Sequence, residues 1–233
     1  MDMTPPILYE DECLLVVEKP AGMPSQPDPS GQMSLLAYLQ KQYPYVGLVH
    51  RLDTPTGGVM VFAKDKSLVG KLTDAINDKE NTQKIYWALI PSPPPQPEGV
   101  WEDYLYHDKQ KNKAFAVCSN AKGEIRKGAK YAKLSYSVVH TLPDGLTLVE
   151  VRLYTGRTHQ IRVQFASRGL PLLGDGKYGS RAKLPRGGFA LWAERLSIPH
   201  PRTNHGLTFV SLPPTDMSPW QQFQDILSTS EGE

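Results

Sequence analysis

Val59-Met60-Val61-Phe62-Ala63 is an unbroken apolar run, entered through Thr56-Gly57-Gly58 and left through Lys64-Asp65. A run this short, without polar alternation and with breakers at its entry, marks a strand covered on both faces. Such a strand needs neighbours, and the chain supplies them. Ile7-Leu8-Tyr9 and Leu14-Leu15-Val16-Val17 read as a hairpin about Glu10-Asp11-Glu12. Lys84 to Ile90 reads as a strand that sets Tyr86 and Ala88 opposite Ile85, Trp87 and Leu89. Lys130 to His140 and Leu146 to Tyr154 pair about Pro143-Asp144-Gly145. Phe189 to Ala193 leads to a last hairpin through Leu207-Thr208-Phe209-Val210.

Helices are few. Ser34 can cap a short one carrying Leu35, Leu36, Leu39 and Tyr43, and Asp65 one striped by Leu68, Leu72, Ala75 and Ile76. Thr158 can cap a third from His159 to Arg168, closed by Gly169. On its face His159 and Arg162 are three apart, and Ile161 and Phe165 turn to the core. The pattern gives an α+β fold in a single domain over residues 1–233, with the stiff stretch Pro91 to Pro97 an excursion within it.

No apolar stretch approaches the roughly 20 residues that span a bilayer. The start, Met1 to Pro6, has neither the basic nor the apolar region of a signal peptide. Two distant cysteines, Cys13 and Cys118, make no disulfide framework and fit a reducing compartment, so a cytoplasmic protein is expected. The net charge of +2 hides two cationic stretches. Between Val151 and Arg186 the only acid is Asp175, and from Lys109 to Lys133 the lysines and Arg126 are opposed by Glu124. Such stretches suit a polyanion or a solvated face.

His50-Arg51-Leu52-Asp53 stands just before the apolar run. By residue type alone, Asp53 is a nucleophile or general base, or an acid capping the turn Asp53-Thr54-Pro55-Thr56, and the usual turn preference favours the cap. Near a polyanion a working carboxylate needs a fixed cation, and Arg162 is either that planar fork, which stays charged, or a phosphate-binding or surface arginine. Tyr86 is a core aromatic or a ring that stacks on a flat substrate. His50 and His159 are acid–base groups or structural, and no third ligand at zinc spacing joins them, so no metal is expected.

In order and spacing, His50-Arg51-Leu52-Asp53, Lys84-Ile85-Tyr86 and Thr155-Gly156-Arg157-Thr158-His159-Gln160-Ile161-Arg162 resemble the three motifs of the RluA-type pseudouridine synthases. Glu18-Lys19-Pro20-Ala21-Gly22, Leu172 to Gly179, and Leu191-Trp192-Ala193 with His200-Pro201 are similar to the family's flanking blocks. The chain departs from the pattern at Gly57, where the family usually has Ser, and at Trp192, where His is common. A glycine at 57 is expected to loosen the loop that carries Asp53.

The resemblance implies a mostly antiparallel mixed sheet with flanking helices and a central RNA-binding cleft, without an N-terminal S4 domain. It implies isomerisation of a uridine in a tRNA or rRNA stem-loop to pseudouridine by a monomer, with no metal or organic cofactor. Asp53 becomes the catalytic carboxylate, Arg162 the cation that keeps it ionised and aimed, and Tyr86 the stacking ring. Arg51, with His50, fills the gap left by the flipped base, and Arg157, His159 and Gln160 contact substrate. The competing readings are a non-catalytic RNA-binding protein or chaperone, and a glycosidase. Glycoside hydrolysis generally uses two carboxylates, and the motif set holds one acid.

Overall fold

The computed structural model describes residues 4–216 and 218–229. The expectation of no leader at Met1 to Pro6 therefore falls in part on residues 1–3, outside the described residues. The chain forms two compact units. One runs to Ile85 and resumes at Leu191; the other is Tyr86–Ala190. The proline-rich stretch 91–97 lies inside the second unit and not at the boundary.

In the first unit β1 (Ile7–Glu10) and β2 (Leu14–Lys19) form the expected hairpin. Asp11 fixes its turn, because its Oδ1 accepts from the amides of Cys13 and Leu14 at 2.6 and 2.7 Å. Helix α1 (Leu35–Gln40) is capped by Ser34, whose Oγ accepts from the Ala37 amide. It stops short of Tyr43. Strand β3 (Gly47–Leu48) leads into the His50 motif, and β4 (Gly57–Ala63) is buried at every residue. β4 runs antiparallel to β2, from Leu14 opposite Ala63 to Lys19 opposite Gly58. β3 takes part of the other edge at Phe62 and Ala63. The continuous apolar run is thus a central strand. After it Asp65 caps a 3₁₀ turn (Lys66–Leu68), which continues as α2 (Val69–Asn77) and seals Leu72 and Ile76 to the core.

Strand β5 (Gln83–Ile90) carries the chain into the second unit. There β6 (Glu98–Asp108), β7 (Lys113–Val117), β8 (Lys130–Thr141) and β9 (Thr147–Leu153) form an antiparallel array in the order β9-β8-β6-β7. The β8–β9 hairpin follows the sequence reading. Strands β6 and β7 do not, because both faces of β6 carry large or charged residues and erase the period of two, while β7 hides among lysines.

Helix α3 (Gln160–Ala166) departs from expectation at its start. Thr158 does not cap it: the N-cap is His159, in left-handed backbone with φ 54° and no side-chain cap. The cause is Gln160, whose Oε1 accepts from the Thr155 hydroxyl (2.7 Å) and the Arg157 amide (3.0 Å) and so draws the preceding turn in. Phe165 packs on Trp101 at 4.7 Å between ring centroids, and Val163 packs on Leu105, Ala114 and Ala132.

The chain returns to the first unit as β10 (Leu191–Pro199), parallel to β4 at Gly57 and Gly58, and ends in β11 (Gly206–Val210), antiparallel to β10, and α4 (Gln224–Thr229).

Candidate active site

Asp53 sits half-buried on a turn whose backbone is tied down on both sides. Before it, the Leu52 amide donates to Ser25 Oγ and the Ser25 hydroxyl donates to the Leu52 carbonyl, at 3.1 and 2.7 Å. At the turn, the Thr56 amide donates to the Asp53 carbonyl at 2.9 Å. After it, the Thr54 carbonyl accepts from the Gly22 amide at 2.8 Å and from the Lys19 ammonium at 3.0 Å. The same Nζ donates to the carbonyls of Met23 (2.6 Å) and Pro20 (3.0 Å). Lys19 is 0% exposed. Burial pushes its pKa down to about 7, and the Asp53 carboxylate opposes that shift. In sequence Lys19 belongs to the flanking block Glu18 to Gly22, and its residue type alone assigns it no role. A lysine at the end of an otherwise apolar strand was the signal.

His50 also serves the scaffold. Its Nε2 accepts from the Val61 amide at 3.0 Å, which requires that nitrogen to be unprotonated. Burial, and secondarily the charge of Lys84, push its pKa down to about 4. The neutral ring stitches the motif to β4 and does not present a cation to RNA. Arg51 beside it is exposed.

Gly57 does not loosen the turn. It is buried in β4 in register with Trp192, and a Cβ there would lie 2.1 Å from Trp192 Cζ3. The indole is fixed in turn, because its Nε1 donates to the Ser211 carbonyl at 2.9 Å. The two departures from the family pattern are therefore one packing exchange: the larger ring at 192 occupies the space of a side chain at 57.

In the second unit Arg162 is 6% exposed. Its Nε and Nη2 grip Asp175 Oδ2 and Oδ1 at 2.6 and 2.9 Å, a bidentate pair. The guanidinium carbon lies 4.0 Å from the Phe189 ring centroid and 5.0 Å from that of Tyr178. A second acid thus belongs to the motif set. Asp175 was legible as the one acid in a basic stretch, but its partner was not.

Tyr178 braces the same region. Its hydroxyl accepts from the Ala114 amide of β7 at 2.8 Å and lies 2.9 Å from His159 Nδ1, which holds the left-handed residue in place. Arg157 Nε donates to the Tyr131 carbonyl at 2.8 Å. Gln160, 3% exposed, spends its oxygen on Thr155 and Arg157 and its nitrogen on the Lys133 carbonyl (3.1 Å). That commitment makes Gln160 a brace of the turn before α3. Tyr86 is half-buried in β5.

For metals, ligand atoms of Asp11, Cys13 and His200 lie within 4.8 Å of one another. The Asp11 carboxylate already accepts from Tyr9 Oη (2.7 Å) and the Cys13 and Leu14 amides, and lies 3.0 Å from His200 Nε2. The cluster reads as a staple from the first hairpin to the end of β10.

Residues 13–167 match the family model described as RNA pseudouridylate synthase. The chain is 35% identical over 208 residues to the dual-specificity RNA pseudouridine synthase RluA of Escherichia coli K12, covering 87% of this chain and 90% of that one. It is 33% identical over 222 residues to YlyB of Bacillus subtilis 168, named an uncharacterized RNA pseudouridine synthase, covering 91% and 70%. Human RNA pseudouridylate synthase domain containing 4 shares the fold, with a TM-score of 0.76 at 24% identity, covering 96% of this chain and 93% of that one. The matched residues include the Asp53 turn, Tyr86 and Arg162, and the chain belongs to the RNA pseudouridylate synthase family.

Proposed function

We propose that this protein isomerises uridine to pseudouridine in a tRNA or rRNA stem-loop, acting as a cytoplasmic monomer without metal or organic cofactor. The bond from ribose C1′ to uracil N1 breaks, the base turns, and C1′ bonds to C5. The C5 proton leaves and N1 gains one, so the step is redox-neutral. Asp53 is the carboxylate that meets C1′, as a covalent partner or as the counter-charge to an electron-poor sugar. Arg162 supplies a guanidinium to the reaction, with its plane set by Asp175 and Phe189. Tyr86 stacks on the uracil, and exposed Arg51 replaces the extruded base in its stack.

One observation carries this reading: the backbone on both sides of Asp53 is pinned to Ser25, Gly22 and the buried ammonium of Lys19, while the side chain stays half-exposed. A turn that only closed a loop would not need a buried charge behind it. Rigid placement is what an attacking carboxylate requires, since a displacement of about 1 Å can cost about a hundredfold in rate. The test is to map pseudouridine in total RNA from cells with and without the gene, complemented by wild type or Asp53→Ala. Sites lost with the gene and restored only by wild type support the reading. Restoration by Asp53→Ala removes Asp53 from the chemistry.

A further inference from the structure

The sheet of the second unit has one covered face and one open face. Val163 of α3 packs on the covered face against Leu105, Ala114 and Ala132. The alternate residues point away. Tyr106 stands opposite Phe115 across β6 and β7, and Tyr104 stands opposite Tyr131 across β6 and β8. Tyr104 is 41% and Phe115 37% exposed, and the Tyr104 and Tyr131 rings meet edge-on at 6.0 Å. The segment between β7 and β8 brings Arg126 over Tyr106, its guanidinium carbon 3.6 Å from the ring centroid. From Tyr104 to Lys130 seven Lys and Arg side chains face two acids, Asp108 and Glu124. Both acids are spent on local bonds, Asp108 on the Gln110 and Lys111 amides and Glu124 on Asn120. Toward the other end of the array Glu98 and Glu150 bound the cationic zone, and Glu102 is paired with Lys133 at 2.9 Å.

Two exposed rings on neighbouring strands, Tyr104 and Phe115, with guanidinium and ammonium groups around them, are the chemistry that holds unpaired nucleotides. The π-faces stack on bases and the cations meet phosphates. A paired helix hides its base faces and could use only the cations. We propose that the open face at the β6–β7 end binds a single-stranded RNA segment that flanks the target stem-loop. This rests on the reading of the protein as an RNA-modifying enzyme. It adds a second docking surface, on the face of this sheet opposite to the one that carries α3.

The test uses the full chain, a fluorescent single-stranded oligouridine probe and a duplex of equal length. Phe115→Ala and Tyr104→Ala are each expected to weaken the single strand about tenfold, the scale of one lost stacked base, and to leave the duplex within about twofold. Tyr104→Phe keeps the ring and is expected to bind as wild type, which separates stacking from misfolding. Arg126→Ala should weaken both probes and lower the salt dependence. On substrate RNA with a single-stranded flank, Phe115→Ala should raise KM and leave kcat unchanged; on the bare stem-loop it should change neither. Equal losses for both probes, wild-type affinity in both alanine variants, or a fall in kcat on the bare stem-loop overturns the proposal. If no RNA is modified yet the single strand still depends on Phe115, the activity reading fails and this surface stands. If RNA is modified and the oligonucleotide ignores Phe115 and Tyr104, this surface alone fails.

Discussion

Replacing Lys19 with Met removes a buried ammonium that three carbonyls share, and the structure sets both the size and the pH dependence of the effect. Two of those carbonyls keep another donor: Thr54 retains the Gly22 amide (2.8 Å) and Pro20 the Met23 amide (3.3 Å). The Met23 carbonyl loses the 2.6 Å bond, and a buried acceptor left so costs about 1–3 kcal/mol. At neutral pH the variant should therefore be about 2 kcal/mol less stable, a fall of about 4–8 °C in Tm. The pH dependence is sharper. Lys19 has a folded pKa of about 7 against an ordinary 10.5. Between these values the unfolded chain binds the extra proton, so wild-type stability rises with pH, by up to about 1.4 kcal/mol per unit from this group. Lys19→Met lacks that rise, and the gap between the two proteins should widen by about 2–3 kcal/mol from pH 7 to pH 9. Urea unfolding at both pH values measures it. Single-turnover modification of RNA should slow at least tenfold, because the Asp53 turn loses one of its two ties at Thr54. A gap that is constant or narrows with pH refutes the lowered pKa of Lys19. A wild-type rate in Lys19→Met refutes the link to Asp53.

Other outcomes follow from neighbouring contacts. His50 is held neutral with a pKa of about 4, so acidification from 6.5 to 4 protonates the unfolded chain first and lowers stability by roughly 3 kcal/mol; denaturant titrations should show this window flattened in His50→Gln. Gly57→Ser drives a Cβ into the Trp192 ring and should cost about 1–3 kcal/mol or more, while Gly57→Ser with Trp192→His should regain most of it by calorimetry; equal loss in both denies the packing exchange. Asp175→Asn leaves a buried guanidinium without its counter-charge and should lose about 3 kcal/mol in urea, with kcat falling more than KM changes; a neutral result separates Asp175 from the role of Arg162.

The sequence carried what depends on residue type and local spacing. The apolar run at 59–63 demanded a strand with neighbours on both sides, and it is the central strand of its unit. Ser34 and Asp65 announced their helices because a cap is a local bond. Partners distant in the chain were less legible. Lys19 and Thr54 are joined through a backbone carbonyl, which no residue type betrays. Asp175 was visible as an isolated acid, yet its grip on Arg162 depends on the turn after α3. The left-handed His159 was hidden because Thr158 is a sound cap by type, and only the internal bonds of Gln160 displace it. Gly57 and Trp192 looked like two unrelated departures until register placed them side by side.

The most direct measurement is tritium release from RNA labelled at uridine C5, incubated in a single turnover with purified wild type, Asp53→Asn and Asp53→Glu. Joining C1′ to C5 must expel that hydrogen, so wild type should release tritium to water while both variants, though folded and RNA-binding, release none above background. Release by Asp53→Asn at a rate near wild type, or none from wild type on any tRNA or rRNA, would contradict a carboxylate at residue 53 carrying the reaction.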